Sequence, residues 1–264
     1  MADDKIPELR LERENGIAFL VIDNPARLNA LTSAMWAAVP RLLGEADADE
    51  SVRVVVLKGA GGKAFSAGAD ISEFDSARTG DAVKAYDALN HAAFEALLQA
   101  AKPTIAMIEG FCLGGGLGIA ACCDLRVSND AASFAIPAAK LGLGYHPRWV
   151  RTLLSLAPPA YVKEMLFTGR RFSAGEALGM GLVNRVYPAA ALDTELRSLA
   201  DTIAGNAPMT IRAAKAAIDE LTARPESADI GRLEALVKDC FDSSDYAEGR
   251  RAFAEKRRPL FRGR

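Results

Sequence analysis

The chain is poor in the side chains that hold metals and attack carbonyls: two histidines and four cysteines in 264 residues. Cys112, Cys122, Cys123 and Cys240 sit in apolar surroundings, without C-x-x-C spacing or a nearby histidine. Small core residues account for them better than a disulfide, a metal site or a nucleophile, and no metal site is expected. Long apolar runs are also missing, since no segment extends ~18 residues without a charge. The first ten residues, MADDKIPELR, have neither an apolar signal core nor the Arg/Ser-rich composition of a transit peptide, so a cytoplasmic location is expected. An excess of either charge is lacking too: 34 acidic residues face 32 basic ones, a formal net charge of −2. No long-range field therefore favours DNA, RNA or an anionic membrane as a partner. Fixed-period repeats and low-complexity tracts are absent.

What is present is a half-hydrophobic sequence, long enough to bury a sizeable core. "LRLERENGIAFLVIDNP" gives two alternating segments around Asn15-Gly16, a strong two-residue hairpin signal. "SVRVVVLKGAGG" is a β-branched run closed by glycines, and "KPTIAMIEGF", "CDLRVSND" and "ASFAIP" supply further short strands. Helical periodicity recurs at 33–46, 81–101 and after Pro147. Beyond residue 189 the pattern is almost wholly helical, with segments at 189–205, 208–223, 227–241 and 244–257. The expected organisation is an α/β core over 1–188 followed by a helical region over 189–264.

Three consecutive glycines in "FCLGGGLGIAACCD" (111–124) raise the possibility of a backbone that approaches a ligand closely. A dinucleotide fold needs G-x-G-x-x-G, but the third position is Ile119, and "GAGGKAFSAG" misses the phosphate-loop spacing. The remaining functional reading is a strand-to-helix turn whose N–H groups face an anionic oxygen, against the simpler alternative of close packing.

"GKAFSAGADI" (62–71) followed some 45 residues later by "GFCLGGG" resembles the enoyl-CoA hydratase/isomerase, or crotonase, family. "NPARLNAL" (24–31), "CDLRVSNDAASFAIPAAKLGL" (123–143), "FTGRRFSAGEALGMGLVNRV" (167–186) and "EGRRAFAEKRRP" (248–259) extend the resemblance over nearly the whole chain. It implies a stack of ββα units, with C-terminal helices that pack a homotrimer or a dimer of trimers. It also implies an acyl-CoA thioester substrate, CoA arriving as part of the substrate rather than as a cofactor. The thioester oxygen would lie between the backbone N–H groups of Ala67 and Gly115, with an enolate-like species formed there. By the same resemblance the backbone of Ala69, Asp70 and Ile71 lines the adenine pocket, Phe253 and Lys256 reach CoA, often from a neighbouring subunit, and Arg27 and Lys63 contact phosphates.

The sequence departs from the hydratases of that family at two positions. Where they carry the pair of glutamates that hold the added water, this chain has Gly118 and Ala138. General acid–base chemistry needs a titratable group beside the moving proton, so two-glutamate hydration is not expected. Replacement groups are offered by "LGLGYHPRWVRTL" (141–153). His146 lies eight residues after Ala138, an offset at which dienoyl-CoA isomerases of the family place an aspartate; otherwise it is an exposed loop histidine before Pro147. Tyr145 matches a tyrosine of the family's methylmalonyl-CoA decarboxylases, although their histidine is replaced by Ala69; otherwise it packs at the pocket rim. His91 falls in a helical pattern and reads as a surface or core residue, and Asp75 and Asp81 belong to a pocket loop in the family. Leu117, Ile136, Leu143 and Trp149 suggest an apolar acyl pocket. The alternatives are a non-catalytic acyl-CoA-binding protein and a decarboxylase-like enzyme.

Overall fold

The computed structural model describes residues 6–73 and 82–264. The hairpin forms as its turn chemistry demands: β1 (Glu8–Glu14) pairs antiparallel with β2 (Ile17–Asp23) across Asn15 and Gly16, both at positive φ. β2 then lies between two apolar layers. Ala18, Leu20 and Ile22 point into the larger core, and Ile17, Phe19 and Val21 into a second one, which is why the strand is buried throughout.

Beyond the hairpin, strands come in pairs. β3 (Val54–Gly59), β5 (Thr104–Ile108) and β7 (Leu125–Asn129) join β2 in parallel. Each is followed by a short strand, β4 (Ala64–Ser66), β6 (Phe111–Leu113) or β8 (Ser133–Ala135), that turns away into a second sheet. β9 (Phe172–Ser173) closes the small sheet antiparallel to β8, and β10 (Arg185–Tyr187) closes the large one beside β7. The large sheet therefore runs β1-β2-β3-β5-β7-β10 and the small one β4-β6-β8-β9. The expected ββα repetition is present in this order of elements.

Helices α1 (Ser33–Ala48), α2 (Ala82–Leu98) and α3 (Gly115–Ala121) fill the connections. The helical stretch expected after Pro147 is two helices, α4 (Pro147–Leu154) and α5 (Pro159–Thr168), because Pro158-Pro159 interrupts the backbone ladder. A capping box of Ser173 and Glu176 starts α6 (Ala174–Gly179). The C-terminal helices are α7 (Leu192–Ala204), α8 (Pro208–Ala223), α9 (Ile230–Asp242) and α10 (Ser244–Ala254).

α7 seals the outer face of the large sheet with Leu192, Leu196 and Ala200, all fully buried against β2, β3, β5 and β7. Burying each leucine contributes about 1.5–3 kcal/mol. α8 is tied to the sheet by Lys215, whose Nζ donates to Asp124 Oδ2 at 2.7 Å. No helix among the described residues is long and apolar enough to cross a membrane.

Candidate active site

The three glycines lie at the junction of β6 and α3, and each meets a different demand. Gly114 has φ 52° and ψ −120°, a conformation closed to residues with a Cβ, and donates its N–H to Ala135 O at 2.8 Å. Gly116 packs so tightly on β4 that a Cβ would stand 2.6 Å from Ser66 O. Gly115, between them, exposes its backbone to a chamber of about 130 Å³. Packing and ligand approach thus both apply, at different members of the triplet.

The opposite edge of the chamber is set by the segment 24–31. Asn29, itself at φ 57°, is buried and donates from Nδ2 to Ala60 O (2.9 Å) and Ala64 O (2.7 Å), while its Oδ1 accepts from Asn24 N (3.0 Å). This pins the segment beside residues 67–70. There Ala67 N–H donates to Leu28 O at 2.9 Å, Leu31 N–H to Gly68 O at 2.7 Å and Asp70 N–H to Leu31 O at 2.9 Å. Extended backbone alternates its N–H groups, so that of Ala69 is turned to the other side, toward the chamber that Ala69 lines.

This corrects the sequence assignment of Ala67. Its N–H is already committed to Leu28, whereas Ala69 and Gly115 have no acceptor among the described residues. The two stand side by side, since a Cβ on Gly115 would lie 3.6 Å from the Ala69 nitrogen. Two adjacent unpartnered backbone donors can hold an oxyanion.

The remaining walls are apolar and aromatic. Phe94 from α2 and Trp149 from α4 meet edge to face at 5.1 Å, Tyr145 meets Trp149 at 5.6 Å, and Ile136, Ala138 and Leu143 complete the lining. Three of the four apolar residues expected here are present; Leu117 instead belongs to the buried core. Among the described residues no charged side chain lines the chamber. Its polar side chains are Tyr145 and Asn90, with the indole of Trp149, and Asn90 donates from Nδ2 to Tyr86 O at 3.0 Å. Burial pushes the Tyr145 phenol well above its usual range, so at neutral pH it is a proton donor and not a base. Asn90 was missed from sequence; its one signal is position, a helical turn before Phe94 on the same face of α2.

The two lost glutamate positions differ. Ala138 lines the chamber, but Gly118 does not, because the Phe94 ring covers it: a Cβ there would lie 2.9 Å from Phe94 Cζ. His146 is not part of the lining either. It is exposed at the start of α4, where its Nδ1 accepts the Arg148 N–H at 3.2 Å, so the ring caps a helix. His91 stands outside the chamber with Nε2 3.0 Å from Arg148 Nη1. Asp75 and Asp81 lie outside the described residues.

Of the expected CoA contacts, Ala69 and Ile71 line the chamber, Ile71 at its exposed mouth. Asp70 is buried and accepts from Arg27 Nη1 (2.9 Å), Ser72 N (3.0 Å) and Ser72 Oγ (2.7 Å). Burial alone raises a carboxyl, yet these donors outweigh it and hold Asp70 below its ordinary value. Arg27 is thereby engaged in an ion pair that fixes the loop. Lys63, Phe253 and Lys256 are exposed and do not line this chain's chamber.

A larger hollow of about 370 Å³ lies between the end of α2 and helices α8 and α9. Two of its cations are tied to carboxylates, Lys215 to Asp124 and Arg232 to Glu220, and none of the expected site residues reaches it. Its described lining does not include the adjacent Ala69 and Gly115 donors of the chamber at α3.

Residues 12–264 match the family model described as enoyl-CoA hydratase/isomerase. The chain is 36% identical over 254 residues to a short-chain-enoyl-CoA hydratase of Clostridium acetobutylicum, covering 94% of this chain and 95% of that protein. It is 37% identical to a carnitinyl-CoA dehydratase of Proteus mirabilis, with 97% and 98% covered. A solved enoyl-CoA hydratase/carnithine racemase from Magnetospirillum magneticum superposes with a TM-score of 0.92 at 38% identity, covering 98% of this chain and 97% of that one.

Proposed function

The chain belongs to the enoyl-CoA hydratase/isomerase family, and from that premise we propose that it binds an acyl-CoA thioester with the carbonyl oxygen between the N–H groups of Ala69 and Gly115 and stabilises an enolate there. One observation carries this reading: two adjacent backbone donors without acceptors among the described residues open onto an apolar chamber. In such surroundings a hydrogen bond to a growing negative charge strengthens as the transition state is approached.

Water addition by two carboxylates is not the proposed chemistry. Gly118 is covered by Phe94, Ala138 offers no titratable group, and His146 is turned to capping α4. Tyr145, a polar side chain of the lining that keeps its proton at neutral pH, is the one to which we assign protonation of the enolate carbon. That favours a second, narrower reading in which cleavage of a bond within the substrate, as in decarboxylation, generates the enolate without a base. The competing account is a binding protein that holds CoA thioesters without turning them over. The exposed apolar residues of α8 to α10 support assembly into a homotrimer or a dimer of trimers, with Phe253 and Lys256 meeting CoA in a neighbouring copy.

The test is a mass-spectrometric turnover screen against crotonyl-, dienoyl- and methylmalonyl-CoA, together with exchange of the α-hydrogens of butyryl-CoA in D2O. Gly115→Pro removes one donor, and Gly115→Ala keeps it while adding a similar Cβ. Turnover or exchange should fall about 10²–10³-fold further in the proline variant than in the alanine variant. Equal losses would remove the Gly115 N–H from the mechanism. Thioester binding without turnover or exchange for any substrate would favour the binding protein.

A further inference from the structure

One wall of the chamber is a buried aromatic ring held in place by packing. Phe94 is nearly fully buried, at 3% exposure, and its ring is held edge to face from both sides, by Trp36 at 5.6 Å and 85° and by Trp149 at 5.1 Å and 81°. Behind it α3 presents Gly118, where even a methyl group would touch the ring. The ring therefore occupies the volume that a side chain at 118 would otherwise take, and it cannot swing aside without disturbing a tryptophan on each flank.

We propose that Phe94 is the residue that sets acyl-group specificity, restricting the acyl chain, apart from any carboxylate lost from the α-carbon, to a short, uncharged group, a single ring or about four to six carbons. This rests on the acyl-CoA reading above. Size follows from the volume: about 130 Å³ is close to that of engineered apolar cavities of roughly 150 Å³ that admit benzene. Charge follows from the lining, because a distal carboxylate would lie among Phe94, Trp149, Ile136 and Leu143 with no cation among the described lining residues to pair with it. Asn90 and Tyr145 are left to contact polar atoms near the thioester.

The experiment is competitive binding of butyryl-, benzoyl-, octanoyl- and glutaryl-CoA, with CoA itself as reference, to the wild-type protein and to Phe94→Ala and Phe94→Leu. The leucine variant keeps the core filled should the alanine variant fold poorly. In the wild type, butyryl- and benzoyl-CoA should bind at least tenfold more tightly than octanoyl- and glutaryl-CoA. Shortening residue 94 should raise octanoyl-CoA affinity at least tenfold relative to butyryl-CoA, with the leucine variant changed in the same direction by less, and leave glutaryl-CoA weak. Octanoyl-CoA binding the wild type as tightly as butyryl-CoA, or a ratio unmoved by both variants, would overturn the proposal while leaving the acyl-CoA reading intact. No binding of any thioester, or of CoA, would overturn both.

Discussion

Tyr145 is the residue on which catalysis and mere packing make different forecasts. Its ring packs on Trp149 and its raised phenol keeps the proton at neutral pH. Tyr145→Phe retains the ring and removes only the hydroxyl, so a packing role forecasts unchanged turnover. A proton-donating role forecasts a fall in kcat of about 10²-fold, the lower range for general acid catalysis, with KM nearly unchanged. Steady-state kinetics on whichever thioester is turned over would distinguish them. His146→Ala should leave kcat unaltered, because the imidazole nitrogen is committed to the Arg148 N–H; a large loss would return the histidine to the mechanism. Neighbouring residues with equal claims in sequence are thus separated by where α4 begins.

Among the elements, the loop 24–31 and the C-terminal tail each depend on one polar residue. Asn29→Ala removes donors to one buried and one half-buried carbonyl and places alanine at positive φ. A cost of about 3 kcal/mol is expected in denaturant unfolding, with a further loss of thioester affinity because Ala69 is no longer held in register. A variant that unfolds at the wild-type midpoint would show that the loop stands without it. At the other end, Glu248 accepts from Arg257, the Leu260 N–H and Arg251, which together hold its carboxyl well below the usual range, and Asp245 accepts from the N–H groups of Arg262 and Gly263. A depressed folded-state value means that this stabilisation is complete above an unfolded glutamate's value, about 4.3, and is lost as pH falls from there toward the folded value. Protection against hydrogen exchange in 257–264, measured relative to the intrinsic rate at each pH, should therefore fall on acidification before the sheets open, and Glu248→Gln should reproduce the effect at neutral pH. Equal protection in the glutamine variant would refute it.

How far elements could be read beforehand follows from the range of the interactions that make them. The Asn15-Gly16 hairpin, the strand at 54–59, the helix at 208–223 and the glycine turn are local, and local chemistry announced them. The choice between Ala67 and Ala69 depends on pairing with Leu28 and Leu31, some 40 residues away, and alternation gives opposite answers for a shift of one register step. Phe94 above Gly118 is equally non-local, since α2 and α3 meet only in the folded chain.

At the scale of the whole molecule, the proposed assembly rests on the outer surface of the last helices. Buried apolar residues hold α7 against the large sheet, but α8, α9 and α10 turn Ile218, Val237, Phe241 and Phe253 outward, with exposures of 64%, 48%, 60% and 88%. A formal net charge of −2 on 264 residues supplies little repulsion to keep copies apart. The proposed association would cover these side chains, each contributing about 1.5–3 kcal/mol. Sedimentation velocity at micromolar concentration should therefore give a mass three or six times that of the chain. Phe241→Glu with Phe253→Glu should shift it toward the monomer while the far-ultraviolet circular dichroism is unchanged, because neither side chain supports the core. If Phe253 and Lys256 meet CoA in a neighbouring copy, the same pair of substitutions should weaken thioester binding although both lie outside the chamber of their own chain. A monomeric wild type would dismiss the association, and a dissociated variant with undiminished affinity would show each chamber to be complete within one chain.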